Sequence, residues 1–240
     1  MSRASLYGDL FFETILFKKE EYPLLELHVE RIRRSAEIME MELPEHFSVD
    51  YLNEFLVNSI PDPSKIFRLR LVIRRAGLGF YAPVQNKAEF EAQLIGSLSV
   101  GLNVKVGERL ANQELPKVAV FNKYYKPCHS LSNVKSGNAL IYVMALKWAK
   151  EMGLDDVLIL NEYKRICEGG SSNVFWVKND EWFTPPLEEG PVDGVMRLKW
   201  MSMKRVTQKP CSIEELRNAD RIFLSNSIQG MKEVALVEVN

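Results

Sequence analysis

Asn133-Val-Lys-Ser-Gly-Asn138 sets a lysine among small polar residues directly ahead of an apolar helical run, 138–152, which Gly153 closes at its C′ position. One helix and one strand later comes Glu168-Gly-Gly-Ser-Ser-Asn-Val-Phe175, and Gly194-Val-Met-Arg197 then opens another helix after a loop containing Pro191. This half of the chain reads helix, strands, helix. Strands are expected at 157–160, 172–177 and 182–184, and an amphipathic helix at 195–206. A short helix at 213–218 and strands at 221–224 and 234–237 complete it.

Upstream the rhythm changes. Residues 10–17, Leu-Phe-Phe-Glu-Thr-Ile-Leu-Phe, are aromatic and β-branched enough for a strand, and 18–21 reads as a charged turn toward a second short strand. Val29, Ile32, Ala36 and Met39 recur at three- and four-residue steps, predicting a helix over 26–41 with Glu30, Arg33, Arg34 and Glu37 outside. Ser48 is an N-cap for the next helix, with Tyr51, Leu52, Phe55 and Leu56 inward. Over 66–75, Phe67, Leu69, Leu71 and Ile73 alternate with Arg68, Arg70, Val72 and Arg74, a strand buried on one face and largely basic on the other. Strand character continues over 90–106. The polar, proline-containing run 110–117 marks the boundary between two α+β lobes, a small one at 1–112 and a larger one at 118–240 that carries Lys135.

Composition sets limits. The 240 residues are 46% hydrophobic and 26% charged, with 31 basic against 32 acidic groups, an ordinary globular balance with no electrostatic case for nucleic acid or an anionic membrane. The opening Met-Ser-Arg-Ala-Ser-Leu-Tyr-Gly-Asp has no basic segment followed by an apolar one, and no run reaches the length of a membrane span, so a cytoplasmic protein is expected. Cys128, Cys167 and Cys211 are odd in number and far apart, which supports neither a disulfide framework nor a metal site. Cys167, beside Glu168, could be a nucleophile, but a small buried hydrophobe is the better reading.

Lys135, Glu168 and the Gly194 helix start each have a plain reading alone: a surface lysine, an exposed turn carboxylate, a common helix opening. Together they match the needs of pyridoxal phosphate, which takes an amine to form an imine, a carboxylate to hold the proton on its pyridine nitrogen, and a helix N-terminus for its phosphate. The amides of Val195 and Met196 would face that phosphate. Arg31, one turn beyond His28, could add a charged contact and Ser227 a hydroxyl; either could equally be surface decoration. Asn173 reads as a turn-stabilising side chain.

The chain resembles the fold-type IV pyridoxal-phosphate enzymes, the class-IV aminotransferase family of branched-chain aminotransferases, D-amino acid aminotransferases and 4-amino-4-deoxychorismate lyases. The likeness runs through Tyr7-Gly-Asp-Leu-Phe-Phe-Glu-Thr14, His28-Val-Glu-Arg-Ile-Arg-Arg-Ser35, Lys135-Ser-Gly-Asn-Ala-Leu140, Glu168 to Phe175, Thr184-Pro-Pro186, Gly194 to Arg197 and Ser225 to Val234, nearly the whole chain. The resemblance implies a two-lobed α+β architecture with the cofactor between the lobes and a homodimer whose partner closes each site. It further implies Lys135 as the Schiff-base lysine, Glu168 on the ring nitrogen, and Arg31, Val195, Met196 and Ser227 on the phosphate. Phe12 and Asn226 become candidate substrate contacts by the same analogy. Relatives usually have a hairpin before the Tyr-Gly-Asp motif, so an edge of the small lobe is expected to be missing. Ala76 to Tyr81 lacks the arginine that often binds the substrate carboxylate, leaving Arg70, Arg75 and Lys123 as substitutes.

Within the family, Thr14, Met196 and Asn226 before Ser227 resemble the lyase, and a hydroxyl at 14 can relay a proton as pyruvate leaves. The expected activity is therefore 4-amino-4-deoxychorismate lyase, forming 4-aminobenzoate and pyruvate. The alternative is a branched-chain or other amino acid aminotransferase using 2-oxoglutarate, and a third reading is a family-shaped binding protein without catalysis.

Overall fold

The computed structural model describes residues 2–18, 24–62, 64–98 and 114–239, which divide into two compact units. One is Met1–Asn103 with Val134–Asn138, the other Val104–Asn133 with Ala139–Asn240.

In the first unit the order is α1 (Arg3–Tyr7), β1 (Leu10–Phe17), α2 (Leu25–Ile38), α3 (Val49–Val57), β2 (Ile66–Arg75) and β3 (Ala88–Leu98). The strands form an antiparallel sheet in the order β1-β2-β3. Strict alternation explains it: Phe11, Ile15 and Phe17 on β1 and Phe67, Leu69, Leu71 and Ile73 on β2 point to one face, and the apolar stripes of α2 and α3 close over them in a single core. Ser48 caps α3 as expected, its Oγ accepting from Tyr51 N at 3.1 Å. The helix expected over 26–41 stops at Ile38, because Met39 and Glu40 turn and Glu40 takes a φ of 51°. α1 was not foreseen; five residues are too few to show a period. Residues 19–21 of the expected turn with the strand after it, 99–106 of the expected strand continuation and 110–113 of the polar run lie outside the described residues.

Two buried polar clusters brace this unit. Asp9 accepts from Arg3 Nε at 2.9 Å and from Arg75 Nε at 3.1 Å, while Arg75 also donates to Glu40 O, Asn86 Oδ1 and Met39 O. Glu13, on the core face of β1, pairs with Arg31 and with His28 Nδ1 at 2.7 Å, both from α2. A carboxylate only accepts, so His28 Nδ1 carries the proton. Burial alone would raise the Glu13 carboxyl, but the Arg31 charge and then His28 outweigh it and hold it at about 2.

In the second unit β4 (Lys117–Lys126), α4 (Ser130–Asn133), α5 (Leu140–Glu151), β5 (Asp156–Asn161), β6 (Ile166–Gly169), β7 (Asn173–Lys178), β8 (Glu181–Thr184), α6 (Val195–Met203), β9 (Val206–Gln208), α7 (Ile213–Arg217), β10 (Arg221–Asn226) and β11 (Gly230–Leu236) follow in order. Eight strands make one mixed sheet, β6-β5-β4-β11-β10-β7-β8-β9. Alternate residues divide between its faces. Val157 and Ile159 pack with Ala145 and Ala149 of α5, and Phe175, Val177 and Phe223 with Trp200 of α6. Leu158, Leu160, Val174, Trp176, Ile222 and Leu224 join a further core on the other side. Two expectations need correction. The helix expected over 195–206 ends at Met203, and Val206–Gln208 instead pairs parallel with β8, where β-branched Val206 and Thr207 suit a strand. The second half also begins with a strand, β4, whose polar outer residues masked its pattern.

Acid titration tests the Glu13 cluster. Burial pushes His28 below its ordinary 6.5 against the pull of Glu13, and Glu13 itself lies below its ordinary 4.5. Both contributions are therefore present above the ordinary values and fade as pH falls, that of His28 below about 6.5 and that of Glu13 between about 4.5 and about 2. Urea unfolding should show this acid limb in the native chain. Glu13→Gln should cost about 3 kcal/mol at neutral pH and flatten the limb below pH 4.5, and a limb of unchanged slope would contradict the assignment.

Candidate active site

The 134–138 segment lies within the stretch that the sequence assigns to the larger lobe, yet it clusters with the first unit because it runs beside β1. Phe12 N donates to Lys135 O at 2.9 Å and Gly137 N to Leu10 O at 3.0 Å, with a bridge between Phe11 and Ser136. Gly137 permits that approach: a Cβ there would sit 2.9 Å from Leu10 Cγ. The result sets Lys135 Nζ 4.7 Å from the centre of the Phe12 ring.

Phe12 and Thr14 point away from the core of this unit. Thr14 is the register partner of Arg70, whose guanidinium carbon lies 5.6 Å from the same Phe12 ring. Lys135, Phe12, Thr14 and Arg70 thus share one face of the sheet, with Arg68 further along it opposite Leu16. Among the described residues neither Arg68 nor Arg70 forms an ion pair with a carboxylate, whereas Arg74 pairs with Glu89 and Glu91. Of the three substitutes for a substrate-carboxylate binder, Arg75 is committed to Asp9 and backbone carbonyls, and Lys123 is exposed on β4 in the other unit. Arg31 is buried, with its guanidinium on Glu13 across β1 from Thr14.

In the second unit the buried Glu168 is the register partner of Ile159, and so faces α5. Its Oε1 meets Lys126 Nζ and accepts from the Tyr142 hydroxyl at 2.6 Å, and its Oε2 accepts from Val192 N at 3.0 Å. Burial and then the Glu168 charge push the Tyr142 phenol well above its ordinary value, so it remains an O–H donor. Asn173 does more than steady a turn. Its Nδ2 donates to Val192 O at 2.8 Å, and a Cβ on Gly194 would lie 1.8 Å from its Oδ1. Val192 is therefore gripped through its amide by Glu168 and through its carbonyl by Asn173, which fixes the start of α6 relative to the carboxylate.

That start carries no side-chain cap. Gly194 at the N-cap offers no side-chain acceptor, Val195 and Met196 are buried, and the first amides of a helix have no partner within it. An anion satisfies such a terminus through both hydrogen bonds and the helix dipole. Nearby, Ser225 pairs with Asn173 across the sheet, and its buried Oγ has no hydrogen-bond partner among the described residues. Ser227 lies in the turn after it. The Asn226 side chain supports that turn, accepting from Ile228 N and Gln229 N and donating to Ser172 Oγ at 3.0 Å. Cys167 is fully buried and its thiol pushed well up by burial and then by Glu168, which disfavours a thiolate and agrees with its reading as a small hydrophobe.

Sequence reading missed Lys126, Tyr142 and Val192. Lys126 ends a strand that was not recognised, and Tyr142 merges into an apolar helix. The one available signal was a lysine followed at once by Pro127 at a strand end.

The model of the amino-transferase class IV family matches residues 10–237. An aminodeoxychorismate lyase of Vibrio harveyi is 26% identical over 97% of this chain and 84% of its own length, and a probable branched-chain-amino-acid aminotransferase of Synechocystis is 24% identical over 89% and 69%. The crystal structure of a putative 4-amino-4-deoxychorismate lyase from Legionella pneumophila superposes with a TM-score of 0.83 at 24% identity, covering 100% of this chain and 88% of that one. With a lysine, a buried carboxylate and an uncapped helix start at the positions that carry the resemblance, the chain belongs to the class IV aminotransferases, the fold-type IV pyridoxal-phosphate enzymes.

Proposed function

We propose that the chain is a 4-amino-4-deoxychorismate lyase, releasing 4-aminobenzoate and pyruvate. The observation that carries the reading is the shared face of Lys135, Thr14 and Arg70 on the β1–β2 sheet. Pyridoxal phosphate, when bound, supplies an aldehyde that captures amines and a ring that accepts the electrons of a breaking bond. The donor set fits it. Lys135 would hold it covalently, Glu168 would take its ring nitrogen, and the Val195 and Met196 amides with Ser227 and Arg31 would take its phosphate.

The remaining chemistry falls to side chains of this chain. The Lys135 ε-amine, once released, takes the proton from the ring carbon that bears the substrate amine. The C–O bond at the neighbouring carbon then breaks, the ring becomes aromatic, and the enol of pyruvate departs. The Thr14 hydroxyl orients the proton that the departing group requires, a step that plain transamination lacks. Arg70, with Arg68 beside it, meets a substrate carboxylate, and aminodeoxychorismate carries two. Phe12 and Asn226 are the candidate substrate contacts that the family resemblance gives. Folate-precursor synthesis, homodimeric assembly and a cytoplasmic setting belong to this proposal.

The second reading, an aminotransferase using 2-oxoglutarate, draws support from the Synechocystis relative and from the same arginines, since 2-oxoglutarate is also a dicarboxylate. Incubation of the purified holoenzyme with aminodeoxychorismate and no keto acid separates the two. A lyase forms 4-aminobenzoate and pyruvate in equal amounts over many turnovers; a reaction that stops after one turnover until 2-oxoglutarate is added favours the aminotransferase.

Borohydride reduction should fix the cofactor on the peptide that contains Lys135, and Lys135→Ala should lose visible absorption and about 10³-fold or more in turnover. Thr14→Val, which keeps the β-branch and removes the hydroxyl, should lower lyase kcat about 10²-fold without weakening cofactor binding, and Thr14→Ser should retain most of the rate. Full turnover in Thr14→Val would remove the proton role. Arg70→Met should lower kcat/KM by roughly ten- to a hundredfold, chiefly through KM, while Lys123→Met should leave it within about twofold.

A further inference from the structure

Lys126 occupies an unusual position. β4 and β5 pair in regular parallel register from Val118 to Phe121, then the register shifts, and Lys126 rejoins opposite Asn161 although Phe121 stands opposite Ile159. The four intervening residues are exposed and leave the ladder. An irregularity of this kind re-aims a side chain, and here it turns the side chain of Lys126 into the interior, at 5% exposure. Buried lysine is rare without a partner or a task. Its Nζ meets Glu168 Oε1 and lies 5.2 Å from the centre of the Tyr142 ring, while the Tyr142 hydroxyl reaches the same oxygen at 2.6 Å.

An ionised carboxylate has about four acceptor positions, two on each oxygen. Oε1 is filled by Lys126 and Tyr142, whereas among the described residues Oε2 receives only the Val192 amide. One position is left, on Oε2. We propose that Lys126 is a positioning residue that, with Tyr142, anchors Oε1 of Glu168 and thereby reserves the open lone pair of Oε2 for the N–H of a protonated pyridine ring. This rests on the reading of Glu168 as the ring-nitrogen partner of pyridoxal phosphate. Without the anchor the carboxylate can rotate, and its preference for a ring nitrogen over a ring carbon is lost.

The test compares binding of two cofactor forms to the apoenzyme, pyridoxal phosphate and its 1-deaza analogue, in which a C–H replaces the ring nitrogen. A charge-assisted hydrogen bond should give the native chain a preference of about tenfold or more for pyridoxal phosphate. Lys126→Met should reduce it to about twofold or less by weakening pyridoxal phosphate binding alone, and Lys126→Arg, which keeps a cationic donor, should retain most of it. An unchanged ratio in Lys126→Met, or equal weakening of both forms as a purely structural role would give, overturns the proposal. Should Lys126→Met fail to fold, Tyr142→Phe removes a single hydroxyl from the same oxygen; its ratio should fall by about threefold, and an unchanged ratio has the same overturning force. If the native chain binds neither form and borohydride labels no lysine, the cofactor reading itself falls. If borohydride labels Lys135 while the ratio ignores Lys126 and Tyr142, only this inference falls.

Discussion

A carboxylate held out of water governs the larger unit. Glu168 is 3% exposed, and an ionised group so placed is tolerated only where charge and hydrogen bonds replace its lost hydration. Lys126 from the end of β4, Tyr142 from α5 and the Val192 amide from the loop before α6 together do this. The three donors come from three elements, so satisfying one side chain fixes the strand end, the helix face and the loop at once. Asn173 extends the constraint, since it takes the opposite end of the Val192 peptide and touches Gly194. The start of α6, which has no side-chain cap, is thereby set through Val192 by the same carboxylate.

The smaller unit solves a different problem with one strand. β1 sends Phe11, Ile15 and Phe17 into the core and, at the same period, Glu13 into the pair with Arg31 and His28. Its other face carries Phe12 and Thr14, to which Lys135 and Arg70 are added. Alternation at a period of two thus separates the Glu13 cluster from the face shared by Phe12, Thr14, Lys135 and Arg70 along a single run of eight residues. Lys135 is positioned by backbone hydrogen bonds between its own segment and β1, which ties the amine to a rigid strand and not to a free loop.

Legibility followed the strength of local pattern. β2 was read to the residue because four apolar side chains alternate with three arginines, and α3 because Ser48 announces it and Tyr51, Leu52, Phe55 and Leu56 form a stripe. β6 has four residues, all buried, and β4 turns four consecutive exposed residues outward near its end, so neither shows a period that a sequence reader can use. The boundary at Val206 failed for a related reason: an amphipathic count carries on past Lys204, whose extended backbone ends the helix. Of the candidate site, Lys135, Glu168, Val195 and Met196 were legible because small polar residues or glycines surround them in recognisable order. Lys126, Tyr142 and the structural use of Arg75 and Asp9 were not, because each is defined by a partner distant in sequence.

The sequence by itself determined the α+β class and the family, and it singled out Lys135 and Glu168 as candidates for the chemistry. These are properties of local period and of side-chain identity in a fixed order, and they need no knowledge of what touches what. Tertiary structure alone decided that Arg70 shares a sheet face with Lys135 while Arg75 is locked onto Asp9, and that Glu168 is buried against a lysine 42 residues away. Charge and hydrogen bonding act across space, so the role of an ionisable side chain is fixed by the groups that folding brings within a few ångströms of it.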